Sequence, residues 1–372
     1  MRKAMALAMT TLLQTGATAG QEPVPEDMLR LDEVQIIGTH NSYHLRPDAD
    51  LLEYLRHSGF SDGSYWTGPR LARAIDYARE PLDQQLDRGI RALELDVHDD
   101  PEGTLFLRPP LLDALARDGK APDSLWDPSG KMRAPGFKVL HKPTYDPRSN
   151  CPLLADCLAQ VADWSGAHPG HLPIILMIEV KEDPAARKLG CAGLCADGWK
   201  RLKRQLADAF GPALFRPGDV GAAWPTLGAL RGKVMVMLLD DEDHARSYRA
   251  ATDRDGDGDG DDLIFTAARP VKRAPFRAGP HDRIAILPDP RDPRIAAARR
   301  AGLLVYTRAD ADTEEARRND PTRRNAAFDS GATFISTDFP GPDPRFSRYS
   351  VRFGAGFVRC NPVTARENCR SR

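Results

Sequence analysis

The sequence predicts an α/β fold, a TIM-like (β/α)8 barrel, regular or distorted. Two observations carry that prediction. Eight short apolar runs recur along the 372-residue chain, and stretches of helical periodicity separate several of them. The runs are apolar at consecutive positions rather than at alternate ones, as in parallel strands covered on both faces.

The first run is "VQIIGTH" (34–40), and the second is "RALELDV" (91–97), preceded by the helix-like "PLDQQLDRG". The third is "FKVLH" (137–141). The fourth, "LPIILMIEV" (172–180), follows the helical stretch "LLADCLAQVADWSGAHP". The fifth, "KVMVMLL" (233–239), follows "WKRLKRQLADAFG". "RIAIL" (283–287), "GLLVYT" (302–307) and "ATFIST" (332–337) complete the set, with helical "DPRIAAARRAG" and "TEEARRNDPTRRNAAFDSG" between them. An open doubly wound sheet is the alternative, but no Gly-rich phosphate fingerprint follows the first run.

Formal net charge is −1 and 41% of residues are hydrophobic. The length suits one large domain or two medium ones. Near-neutral charge gives no support to nucleic-acid binding, which needs a basic surface, although a local basic patch stays open. Arg2 and Lys3, the apolar "AMALAMTTLL" and the small-x-small Ala17-Thr18-Ala19 read as a signal peptide over 1–19, cleaved near Ala19. A retained N-terminus is the other reading. The expectation is a secreted or periplasmic protein, a monomer, with 20–372 as a single barrel domain carrying a C-terminal disulfide-containing tail. Six cysteines stand in three close pairs, 151–157, 191–195 and 360–369. An oxidising compartment would join them, and local pairing is expected. No nearby His/Cys set has a standard zinc-finger spacing.

The polar residues stand where the runs end. His40 and Asn41 close the first, Glu94 and Asp96 lie near the end of the second, and His141 closes the third. Glu179 lies near the end of the fourth, followed by Lys181. In a parallel barrel these ends share the face that carries active sites. Glu94 and Asp96 are two apart, so a strand puts both on one side. Ionisable groups in apolar strands are costly unless paired or bound to a metal. Asn41, Glu94, Asp96 and Glu179 offer only oxygen, which suits Ca2+ first and Mg2+ second. His40 and His141 are then the acid–base candidates for phosphodiester cleavage. Arg308 and Asp338, at the ends of the last two runs, together with Lys142 and Lys181, are candidates for substrate binding. His98 reads as an assistant or a loop cap. "DRDGDGDGDD" (253–262) resembles the start of a calcium loop but lacks the Glu that closes one.

"GTHNSY", "RALELDVHDD", "VLHKP" and "PIILMIEVKED" resemble, in the same order, the catalytic barrel of the calcium-dependent phosphoinositide-specific phospholipase C family. "LLVYTRADADT", "GATFISTDFP" and "RCNPV" are similar to its bacterial subgroup. The resemblance implies a phosphodiesterase with a TIM-like barrel and a bound calcium. By motif, His40 and His141 would be the catalytic pair, and Asn41, Glu94, Asp96 and Glu179 would hold the ion. It implies a phosphoinositide lipid substrate, transient contact with a membrane surface, and release of diacylglycerol as a cyclic inositol phosphate forms. Two other readings stay open. One is cleavage of glycerophosphodiesters or another lipid diester, although that family usually has Arg where Asn41 stands. The other is a non-catalytic barrel that binds head groups.

Overall fold

The computed structural model describes residues 25–61, 66–117, 119, 127–182, 193–252, 262–268, 276–354, 356–365 and 369. Eight parallel strands close a barrel: β1 (Val34–Thr39), β2 (Ala92–His98), β4 (Ile174–Val180), β6 (Val234–Leu238), β7 (Ile264–Ala267), β8 (Asp282–Ile286), β9 (Leu304–Arg308) and β10 (Phe334–Thr337). Three short strands lie outside the ring. β3 (Lys138–Val139) pairs antiparallel with the end of β2, β5 (Leu214–Phe215) pairs with β6, and β11 (Val358–Cys360) runs antiparallel to the start of β1.

The predicted barrel is therefore present, with one strand exchanged. "FKVLH" is not a ring strand. Val97 pairs with Val139 and His98 with Lys138, so this segment turns back along β2 and stands above the barrel. The strand that takes its place in the ring is "IFTA" at β7, too short and too weakly patterned to stand out.

Burial sorts the strand residues by parity. Leu93, Leu95, Val97, Ile174, Leu176, Ile178, Val234, Val236 and Leu238 pack outward against the helices. Ile36, Ala92, Ile175, Met177, Met235, Met237, Phe265, Leu304, Tyr306 and Phe334 fill the interior. Leu29, Leu31, Trp224 and Leu227 close its floor. Both faces are apolar because each covers a different core, which is why the runs do not alternate.

The surrounding helices follow from the same pattern. Ala196–Phe210 buries Trp199, Leu202, Leu206 and Phe210 on one stripe, with Lys200 and Arg204 on the other side. Gly211, at φ 45°, ends it. Ring closure depends on a second glycine. Gly38 pairs with Ala92, and a Cβ at Gly38 would stand 2.6 Å from the Ala92 Cβ. No helix among the described residues is long and apolar enough to cross a membrane. Cys151–Cys157 and Cys360–Cys369 are joined as expected, and Cys195 is disulfide-bonded. Cys191, the predicted signal peptide and 253–261 of the acidic run lie outside the described residues. Asp262, at the end of that run, lies 2.9 Å from His281.

Candidate active site

The interior positions change character with height. Ile36 is followed on the same parity by Gly38 and His40, and Ala92 by Glu94 and Asp96. Met177 is followed by Glu179, Tyr306 by Arg308, and Phe334 by Ser336 and Asp338. One strand periodicity thus builds an apolar plug below and an ionisable mouth above. The mouth lies at the C-terminal ends of the strands, where barrel sites are found.

Glu94, Asp96 and Glu179 bring carboxylate oxygens within 4.8 Å of one another. Burial, then the charges of Asp96 and Glu179, push the Glu94 carboxyl well above the ordinary carboxylate range. Asp96 is also raised, by burial first, with Lys181 opposing. Lys181 lies among these acids rather than out on the rim. Its Nζ is 2.8 Å from Asp96 and bonds Glu179. For Glu179, burial acts upward, but Lys181 outweighs it and the carboxyl is lowered. Although Asp96 has that ammonium beside it, neither of its buried oxygens receives a hydrogen bond of good geometry.

Asn41 is buried at a left-handed φ of 45°. Its Nδ2 donates to the Tyr77 hydroxyl at 3.0 Å, and its Oδ1 faces the Tyr43 hydroxyl at 3.4 Å. The two hydroxyls, each able to donate or accept, hold the amide in place between them.

Each predicted histidine meets its own aspartate. His40 Nδ1 is 2.8 Å from Asp338, while its Nε2 is 3.6 Å from Glu94 and 3.3 Å from Arg308. Burial, then the Arg308 charge, lower His40 to about 4. Asp338 is itself buried. Arg308 contacts it at 3.3 Å and Arg79 at 3.1 Å, and burial is outweighed by His40 and these cations, so its carboxyl is strongly lowered. His141 Nδ1 is 2.7 Å from Asp146, which also meets the buried His44 at 2.9 Å. Lys142 pairs its backbone with Asp146 in both directions, closing the turn that returns Asp146 to His141. His98 bonds the Leu140 carbonyl at 3.0 Å, and burial, then Lys181, lower it to about 3. It ties β2 to the segment that carries His141.

The predicted residues therefore gather at one mouth. Asp146, Arg79, His44, Tyr77 and Tyr306 join them and were not anticipated. Tyr306 was hidden inside an apolar run, and its hydroxyl reaches Glu94 at 3.4 Å. Arg79, Tyr77 and Asp146 sit in loops, where no periodicity marks a residue that faces the site.

A sequence model of the family described as Phosphoinositide phospholipase C, Ca2+-dependent, matches residues 29–362. The chain belongs to that family. It is thus a phospholipase C-type phosphodiesterase. A search of curated proteins finds no match. Among solved structures, the chain is similar to the calcium-dependent phosphoinositol-specific phospholipase C of a Pseudomonas species. Identity is 15% and the TM-score 0.52, over 90% of this chain and 96% of that one. It is also similar to the Ca2+-dependent phosphatidylinositol-specific phospholipase C of Streptomyces antibioticus. Identity is 17% and the TM-score 0.50, over 83% of this chain and 95% of that one. At such identities the likeness speaks for the fold.

The phospholipase C family is Ca2+-dependent by description, and the residues present fit such an ion. Three clustered carboxylates form an oxygen-only donor set, which a hard divalent cation takes. Asp96 is wholly buried, with no well-formed hydrogen bond to either oxygen although Lys181 stands 2.8 Å away, and Glu94 is held in an environment hostile to its charge. A cation relieves both.

Proposed function

We propose that this chain cleaves phosphatidylinositol-type lipids to diacylglycerol and an inositol phosphate, with His40 and His141 moving the protons. The observation that carries this reading is the pairing of two aspartate-held imidazoles with a carboxylate cluster at one barrel mouth.

The inositol 2-hydroxyl is the nucleophile. His40 takes its proton, for two reasons. Asp338 engages Nδ1 and leaves Nε2 toward the mouth. Burial and Arg308 beside the ring keep His40 neutral before the reaction, so a ring lone pair is available to accept the proton. The new oxygen–phosphorus bond forms as the bond to the glycerol oxygen breaks, and His141 donates a proton to that leaving oxygen. The cyclic phosphate opens by the reverse assignment, with His141 taking a proton from water and His40 returning one to the 2-hydroxyl. Glu94, Asp96, Glu179 and Asn41 would hold the calcium, which supplies positive charge against the phosphate as negative charge builds. Mg2+ is the second choice. Arg308 is the cation best placed for the head-group phosphate. We assign Asp338 to orienting His40 and Lys181 to balancing the carboxylates, both in preference to head-group contact. Lys142 remains a candidate for that contact.

The disulfides support export, since such bonds persist in oxidising compartments. The lipid substrate supports transient contact of the barrel mouth with a membrane, made by a monomeric single-domain protein.

Phosphorus NMR of purified protein with phosphatidylinositol, with glycerophosphoinositol and with glycerophosphocholine tests the substrate. A cyclic inositol phosphate signal from phosphatidylinositol is expected. Turnover of glycerophosphodiesters alone would replace this reading with the second, and head-group binding without turnover would replace it with the third.

A further inference from the structure

Asp146 stands between two histidines that differ in one respect. His44 is wholly buried, stacked on Tyr77 with ring centroids 4.2 Å apart, and its Nε2 lies 2.9 Å from both Asp146 oxygens. Its Nδ1 is buried with no hydrogen-bond partner. His141 has 23% of its side chain exposed, and its Nδ1 lies 2.7 Å from Asp146 Oδ2. A ring proton belongs where an acceptor waits. His44 therefore carries its proton on Nε2. Moving it to Nδ1 would bury an N–H with nothing to receive it, a costly arrangement. His44 is locked as a donor, and Asp146 has to accept from it.

We propose that His44 and Asp146 form a tautomer clamp, in which His44 pins the Asp146 carboxylate and Asp146 thereby keeps a proton on His141 Nδ1, leaving His141 Nε2 to face the substrate. Both are positioning residues, acting through His141. The inference rests on the assignment of His141 as proton donor. A donor imidazole carries protons on both nitrogens before transfer, and the Nδ1 proton needs an acceptor throughout. A carboxylate accepts from both rings at once. An amide at this position would accept from one and donate to the other.

The asymmetry gives an unusual test. In Asp146→Asn the amide oxygen must serve His44, because His44 has no second acceptor. The amide nitrogen then donates to His141 Nδ1 and drives the His141 proton to Nε2. The expected result is a loss of kcat of at least about 100-fold on phosphatidylinositol, with KM changed by less than about threefold. The nitrogen shifts of protein labelled with 15N-histidine should show His141 Nδ1 protonated in the parent and unprotonated in Asp146→Asn. Adding His44→Phe to Asp146→Asn frees the amide to turn its oxygen toward His141. That double variant should regain about tenfold in kcat over Asp146→Asn and recover the parent tautomer. A merely structural role predicts that the second substitution makes matters worse.

Unchanged His141 nitrogen shifts in Asp146→Asn, or a double variant no better than the single one, would overturn the clamp. His141→Ala separates the two levels of argument. If it keeps full turnover, the donor assignment fails, whatever the nitrogen shifts show. If it is inactive while Asp146→Asn is fully active, the donor assignment stands and the clamp is wrong.

Discussion

His40 and Asp146 carry the account at the scale of single residues. His40→Ala removes the group that faces Glu94 and Arg308 while leaving the strands intact. The expected outcome is a fall in kcat of about 1000-fold, with an unaltered circular-dichroism spectrum. Asp146 gives a pH prediction. Burial alone would raise its carboxyl, but His44 and His141 outweigh that and hold it below the ordinary range. A lowered folded value stabilises the native state fully above the unfolded carboxylate pKa of about 4, and this contribution drains away as the pH falls through the folded value. Asp146→Asn should therefore unfold with a shallower dependence on pH below about 4, as followed by acid titration of tryptophan fluorescence. An unchanged acid limb would show that the two imidazoles do not stabilise this carboxylate.

At the scale of elements, ring closure is the sensitive point. β1 meets β2 through only Gly38 with Ala92 and Thr39 with Leu93. A side chain at Gly38 would collide with Ala92, including its backbone oxygen at 2.7 Å. Gly38→Val should cost about 1–3 kcal/mol or more in urea unfolding. The disulfide Cys151–Cys157 closes a short loop at the entry to the helix Leu154–Ala167, just after the segment that carries His141. Replacing both cysteines by Ala should cost about 2 kcal/mol, measured the same way.

Elements also show what was legible in the sequence. The strand ends "GTHN", "LELD" and "IEVK" were readable because a fixed period of two carries the apolar interior up to the ionisable mouth. The third run was misplaced because a strand above the ring and a strand within it share the same apolar composition, and only pairing distinguishes them. β7 is obscured because "IFTA" is short and follows the acidic run "DRDGDGDGDD" almost directly, with no helical stretch next to it. Asp146 and Arg79 were illegible for another reason. They reach the site through turns, and the hydrogen bonds that aim them are set by tertiary contacts alone.

At the scale of the whole molecule, the barrel brings together residues from 40 to 338 of the chain at one mouth. Acids buried there stay together because Lys181 and Arg308 balance them in part, and a divalent cation completes that balance. The central claim is therefore that turnover needs the cation held by the carboxylates. The most direct test is hydrolysis of phosphatidylinositol followed by phosphorus NMR, first in calcium, then with excess chelator, then with calcium restored. The account predicts an inositol phosphate signal whose growth stops in chelator and resumes when calcium returns. Steady turnover through the chelator step would contradict it, leaving Glu94, Asp96 and Glu179 with Lys181 as a structural ion-pair network rather than a metal centre.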